Sequence, residues 1–173
     1  MNQETADNVK SNIQIALNEL DGSYYRLVLV VGPAGSGKTR ALVKLTETQR
    51  WPRLNVNRQL AERLLDLTPK QRTVQTASVL EDLVRETTAE GIVLDNLEIL
   101  FAVDLALDPL RLLQQLSRHR VIVAAWPGGY DGQTLTYAAP GHPEARRYVH
   151  PDAHIVFAEV PAPAALVPTR RGS

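Results

Sequence analysis

Gly32, Gly35, Gly37, Lys38 and Thr39 fall within one run of eight residues that fits G-x-x-x-x-G-K-[ST], with Pro33, Ala34 and Ser36 at variable positions. The glycines open backbone conformations closed to residues with a Cβ and let amide groups approach phosphate oxygens closely. Several N–H groups, with the start of the following helix, then form a concavity of positive potential suited to the β- and γ-phosphates of a nucleotide. Lys38 adds a mobile full charge, and the Thr39 hydroxyl is an oxygen ligand for Mg²⁺. These eight residues and the adjoining Arg40 are the expected cofactor-binding set, with ATP and Mg²⁺ as the expected cofactors. A chance glycine-rich turn with a solvated lysine would carry the same letters. Against it stands the context: the run follows an apolar segment, Leu27–Val31, and precedes residues of helical spacing.

Hydrolysis also needs a held metal and a positioned water. Asp95 closes the apolar run Ile92-Val93-Leu94 and is the expected second metal residue beside Thr39, reaching Mg²⁺ through a water. In many ATPases with an additional strand between these two, the residue after this Asp is a Glu that polarises the attacking water. Here it is Asn96, whose amide can orient water but cannot accept its proton. Glu98 is the nearest carboxylate that could serve as base, against a plain surface or helix-capping role, and Asp104 is a poorer choice. Trp126 stands where related ATPases carry a small polar sensor of the γ-phosphate, and reads more readily as an aromatic covering a sheet edge than as a base-stacking platform. Arg146 and Arg147 precede the expected last strand, where an arginine of AAA+-type oligomers reaches into a neighbour's site; the alternative is a solvated basic pair on a loop. Arg118 and Arg120 are second choices for that role. The expected catalytic set is thus Lys38, Asp95, Asn96, Glu98, Arg146 and Arg147. His119, His142, His150 and His154 lack metal-ligand spacing.

The elements that must position these groups are legible as periodicities. Val9, Ile13, Ala16, Leu17 and Leu20 predict an amphipathic helix stopped by Asp21-Gly22. Leu27–Val31 predicts a strand buried on both faces, residues 39–48 a helix, and residues 53–56 a short strand, which together make a βαβ unit. Leu60 to Leu67 predicts a helix stopping at Pro69, and Ala77, Leu80, Leu83 and Val84 another ending before Gly91. Residues 92–95 and 121–125 are further buried strands, with a helix over 109–117 capped by Asp108 between them. Residues 127–143 read as loop or hairpin and 155–160 as the final strand. The expected organisation is an N-terminal helix over 1–22, a core over 23–160 and a disordered tail over 161–173.

Composition narrows the chemistry. The 173 residues suit one domain. Nineteen Lys plus Arg balance 19 Asp plus Glu, which removes any whole-chain field toward nucleic acid or an anionic membrane and leaves room only for a local patch built from Arg118, Arg120, Arg146, Arg147 and the tail arginines. With no cysteine, disulfides, thiolate metal sites and a cysteine nucleophile are excluded, which suits the cytoplasm. No apolar stretch approaches the roughly 18 residues of a membrane span, and residues 1–10 lack the pattern of a signal peptide.

Several stretches together resemble one family. Tyr24-Tyr25-Arg26, Leu94-Asp95-Asn96, Asp108-Pro109-Leu110-Arg111-Leu112-Leu113 through Ser117-Arg118, Val123-Ala124-Ala125-Trp126, and Leu135-Thr136-Tyr137 through Pro140-Gly141-His142-Pro143-Glu144 are similar to BrxF, the small P-loop protein of certain bacteriophage exclusion (BREX) defence systems. The resemblance spans residues 24–148 and implies an AAA-like NTPase core working among other BREX proteins, with Asn96 and Trp126 as family features. The expected fold is α/β: a P-loop NTPase of the additional-strand class, with a mainly parallel five-stranded sheet flanked by helices, Val121–Ala125 lying between the two nucleotide-binding strands, and no lid domain. The expected function is a Mg²⁺-dependent ATP-binding protein with slow hydrolysis, whose nucleotide controls self-assembly or docking onto BREX partners. The alternatives are a non-hydrolysing nucleotide-gated module and, less favoured, a small-molecule kinase, which would need an acid where the second strand exits through Asn55-Val56-Asn57.

Overall fold

A computed structural model describes residues 3–158 of the chain. Strand β1, Leu27–Val31, has all its side chains buried. Alternate residues of β1 feed two separate cores: Leu27, Leu29 and Val31 belong to one apolar cluster, Val28 and Val30 to the other. A strand can serve two cores only if helices cover both faces of its sheet, which is why its sequence is an unbroken apolar run without alternation. Helices α1, Gln3–Asn18, and α2, Lys38–Gln49, supply one cover through Val9, Ile13, Leu42 and Leu45. Helices α3, Val56–Leu64, α4, Pro69–Arg85, and α5, Pro109–Leu116, supply the other.

The main sheet has five strands in the order β2-β3-β4-β1-β8, where β2 is Arg53–Asn55, β3 Gly91–Asp95, β4 Val121–Trp126 and β8 His154–Phe157. Every pairing in it is parallel. β4 therefore lies between β1 and β3, as expected for the additional-strand class. The carboxyl ends of β1, β3 and β4 come out side by side, the usual place for a ligand in an open α/β sheet.

Three local features differ from expectation. The second strand ends at Asn55 because the Asn55 side chain accepts the Arg58 N–H at 3.0 Å and caps α3, so Val56 begins a helix. Pro69 does not stop a helix but starts one: α3 ends at Leu64, and Thr68 with Gln71 forms a capping box at the head of α4, where proline loses no hydrogen bond. The link from β4 to β8 holds more than a hairpin. Strands β5, Gly129–Tyr130, β6, Thr134–Tyr137, and β7, Arg146–Val149, form a separate antiparallel sheet. The expected final strand runs no further than Phe157 within the described residues, and the expected tail and absence of a lid concern residues outside them. Among the described residues no helix is long and apolar enough to cross a membrane.

The small sheet is tied to α5 through Tyr148. Its hydroxyl donates to Asp108 Oδ1 at 2.8 Å, the same oxygen that caps α5 by accepting the Arg111 N–H at 3.1 Å. Burial, then the hydrogen bond to Asp108 and its negative charge, pushes the Tyr148 ionisation well above the usual tyrosine range. A raised pKa favours the protonated form in the folded state. The stabilisation is therefore complete below the unfolded value of about 10 and declines as pH climbs beyond it. Tyr148→Phe is expected to be less stable than wild type at pH 8 and to show a shallower loss between pH 8 and 10.5, read from urea midpoints; parallel losses would remove this role.

Candidate functional site

The turn from β1 into α2 carries the phosphate-loop residues. Gly35 and Gly37 have φ of +79° and +86°, a left-handed backbone that residues with a Cβ adopt at a cost. Gly32 is required for a different reason: a Cβ there would sit 2.6 Å from Ser36 Oγ and 2.9 Å from Ala158 Cβ. Pro33, Ala34 and Gly35 are exposed at the crest, whereas Ser36 is buried beneath it. The Lys38 side chain runs back along the loop, its Nζ donating to the Gly32 carbonyl at 2.5 Å and the Pro33 carbonyl at 2.8 Å. The mobile cation thus lies inside the turn, among acceptors that a phosphate oxygen can replace. Thr39 and Arg40 are exposed on the first turn of α2.

Asp95 ends β3 next to this turn, with only 3% of its side chain exposed. Thr39 Oγ1 donates to Asp95 Oδ2 at 2.8 Å, joining residues 56 apart in sequence. The hydroxyl and carboxylate read separately from two motifs are therefore in direct contact. A hydroxyl and a carboxylate are hard oxygen donors of the kind Mg²⁺ takes alongside waters and substrate phosphates, so the residues present fit that ion. Asp95 Oδ1 accepts the backbone N–H of Asn96 at 2.9 Å.

Asn96 has φ +56°, and its carbonyl accepts the Asn57 N–H at 2.9 Å. Glu98 opens a 3₁₀ turn, Glu98–Phe101, and its carboxylate accepts from Asn57 Nδ2 at 2.9 Å. Asn57 Oδ1 in turn accepts the Ile99 N–H at 2.7 Å. Asn57 is thus a clamp that binds both candidate water-positioning residues. Asp104 lies in a second 3₁₀ turn, Val103–Leu105, whose backbone meets α4 through Thr73.

Arg146 and Arg147, expected just before the last strand, open a strand of their own, β7, opposite Tyr137 and Thr136 of β6. Neighbouring residues of a strand point to opposite faces, so the two cannot act as one basic pair. Arg146 folds back onto the carbonyls of Glu144 and Ala145 at 3.3 and 3.2 Å, while Arg147 is exposed. Arg118 and Arg120 precede β4 and so lie at the opposite end of the sheet from the phosphate loop. Arg120 Nη1 donates to the Val84 carbonyl at 3.1 Å and also to the Thr87 carbonyl, and Arg118 sits 4.9 Å over the Tyr24 ring. Among the described residues the four arginines are thus held at separate places, and the tail arginines of the expected local patch lie outside the described residues.

The histidines are spread apart. His119 is exposed, His142 Nδ1 accepts the Glu144 N–H at 3.1 Å, His150 lies 3.4 Å from Gln133, and His154 lies 3.7 Å from Glu19. Trp126 is wholly buried, and its indole N–H donates to the Thr136 carbonyl at 3.0 Å, which spends the one donor a phosphate sensor would use. Sequence reasoning missed two residues of the site, Arg53 and Asn57. Arg53 opens β2 and Asn57 lies in the first turn of α3, just after it, and only the register that sets Asn55 against Asp95 brings them to the metal residues.

No protein-family model matches the chain, and no curated protein matches it by sequence. Among solved structures the chain is similar to C. elegans PCH-2, with 14% identity and a TM-score of 0.42, over 92% of this chain and 43% of that one. The chain thus spans less than half the length of that protein.

Proposed function

We propose that the chain binds ATP with Mg²⁺ at the β1–α2 turn, hydrolyses it slowly, and uses the bound nucleotide to control its own assembly or its docking onto partners of a BREX-type defence system. The observation that carries the nucleotide reading is the Thr39–Asp95 hydrogen bond of 2.8 Å beside a loop that holds the Lys38 ammonium on its own carbonyls. Thr39 and Asp95 would hold the Mg²⁺, which when bound neutralises charge on the β- and γ-phosphates. The loop amides orient the phosphate tail, and Lys38 exchanges carbonyl partners for phosphate oxygens. Asn96 orients water without taking its proton, and Glu98, whose Oε2 already accepts from Asn57, is a weakened base for it. Slow turnover follows. The part played in BREX rests on the resemblance to BrxF alone.

The test is titration calorimetry of the full chain with ATP and Mg²⁺, alongside phosphate release and solution mass with and without nucleotide. Micromolar heat with slow release supports the proposal, and no heat from any nucleoside triphosphate rejects it. Binding without release, even at high protein concentration, selects the non-hydrolysing module, which the occupied Trp126 donor and Asn96 favour.

Of the two β7 arginines, exposed Arg147 is the one able to reach a neighbouring copy. Arg147→Ala is expected to lower turnover by at least about tenfold and to abolish any rise of specific activity with protein concentration, while Arg146→Ala changes either by less. Turnover that is independent of concentration and indifferent to both substitutions removes the arginine from catalysis.

A further inference from the structure

The Asp95 side chain is withdrawn from water, yet Oδ2 accepts from a second donor besides Thr39: Arg53 Nη1, at 3.2 Å. The pairing is built by register. Arg53 lies opposite Val93 and Asn55 opposite Asp95, so Arg53, two residues back on the neighbouring strand, shares the sheet face on which Asp95 meets Thr39. A buried carboxylate is costly to hold without a compensating charge, and an arginine supplies one that does not leave by deprotonation. The arginine's own side chain is 36% exposed, so it has a route into solvent when the carboxylate is taken by something else.

We infer that Arg53 is the built-in counter-ion of Asp95, competing with a divalent cation for this carboxylate and thereby setting how strongly nucleotide binding depends on Mg²⁺. The inference rests on reading the β1–α2 turn as the phosphate site. Without metal, Arg53 masks the Asp95 charge from an incoming phosphate, so metal-free nucleotide still binds. With metal, Arg53 gives up Oδ2 and its charge opposes the cation. Both effects flatten the dependence on Mg²⁺. Arg53 is a positioning residue, acting on nucleotide through Asp95.

The experiment measures ATP and ADP affinity of the full chain by calorimetry, in EDTA and in saturating Mg²⁺, for wild type, Arg53→Met and Arg53→Lys. In Arg53→Met the exposed Asp95 charge weakens metal-free binding while Mg²⁺-supported binding is kept or tightened, so the ratio of the two rises about tenfold over wild type. Arg53→Lys, which keeps the charge, returns the ratio most of the way. A structural role alone would weaken both conditions together and leave the ratio unchanged, which overturns the inference. So does a loss confined to ATP over ADP in Mg²⁺, which would make Arg53 a γ-phosphate ligand. Wild-type binding with an unmoved ratio sinks Arg53 alone, whereas no wild-type binding in either condition sinks the phosphate-site reading and the inference with it.

Discussion

Lys38→Ala is expected to lower ATP affinity by at least a hundredfold and to leave no measurable phosphate release, with the fold intact. The ammonium makes two carbonyl hydrogen bonds within the loop, at 2.5 and 2.8 Å, both of which a triphosphate can replace with bonds to an anionic oxygen. Such bonds are worth about 1.5–3 kcal/mol each, and two of them, at about 1.4 kcal/mol per tenfold, amount to a hundredfold or more. The cost to folding is about 1–3 kcal/mol, because water can satisfy the carbonyl of exposed Pro33 once the ammonium is gone, whereas the carbonyl of buried Gly32 loses its donor. Circular dichroism should therefore stay near wild type, with the melting temperature lower by several degrees, while the calorimetric heat vanishes. Lys38→Arg is expected to recover little, since a planar guanidinium on a different stem does not reproduce the single point charge that meets the Gly32 and Pro33 carbonyls at once. Equal ATP binding and turnover by wild type and Lys38→Ala would reject the phosphate site itself.

How far the sequence discloses this site depends on where each partner of an interaction is encoded. The loop is readable because eight consecutive residues carry it, and β1 because burial on both faces demands an unbroken apolar run. Asp95 is readable through the apolar segment before it. Arg53 is not, since its partner is 42 residues away and meets it through the pairing of a three-residue edge strand whose register has no local signature. Asn57 hides for a related reason: its side chain serves Glu98 and the Ile99 N–H at once, and one of those partners is backbone, which leaves no letter. The 69th residue shows a different failure. Proline breaks helices from within and begins them from N1, and only the capping pair Thr68 and Gln71 tells the two apart. Arg146 and Arg147 read as lying just ahead of the last strand, because a four-residue antiparallel strand beyond a run of glycines and prolines has no apolar run to mark it.

Trp126→Ala is expected to destabilise the chain by about 3–5 kcal/mol, a large part of the roughly 5–15 kcal/mol that holds a domain folded. The residue is the join between the two sheets. Its side chain, wholly buried at the end of β4, meets Phe101 edge to face at 5.1 Å and Tyr148 at 5.9 Å, while Phe101 stacks on Tyr137 at 3.7 Å. Its indole N–H holds β6 through the Thr136 carbonyl, and its own carbonyl accepts the Gly32 N–H at 3.2 Å, at the start of the phosphate loop. The backbone comes so close here that a Cβ on Gly128 would lie 1.9 Å from the Thr136 oxygen. Truncation therefore takes the central ring out of an aromatic cluster and leaves the part-buried Thr136 carbonyl without this donor, which alanine cannot repair by collapse. Trp126→Phe separates the two contributions: it keeps a ring but loses the donor, and should cost about 1–3 kcal/mol in urea unfolding. Because the backbone bond to Gly32 survives in Trp126→Phe, its ATP affinity should match wild type. Its turnover should fall with that of Arg147→Ala if the small sheet is what presents the arginine, since a loosened β6 no longer fixes β7 beside it. Unchanged stability in Trp126→Phe would mean that the Thr136 carbonyl finds another donor, and unchanged turnover would detach the small sheet from catalysis.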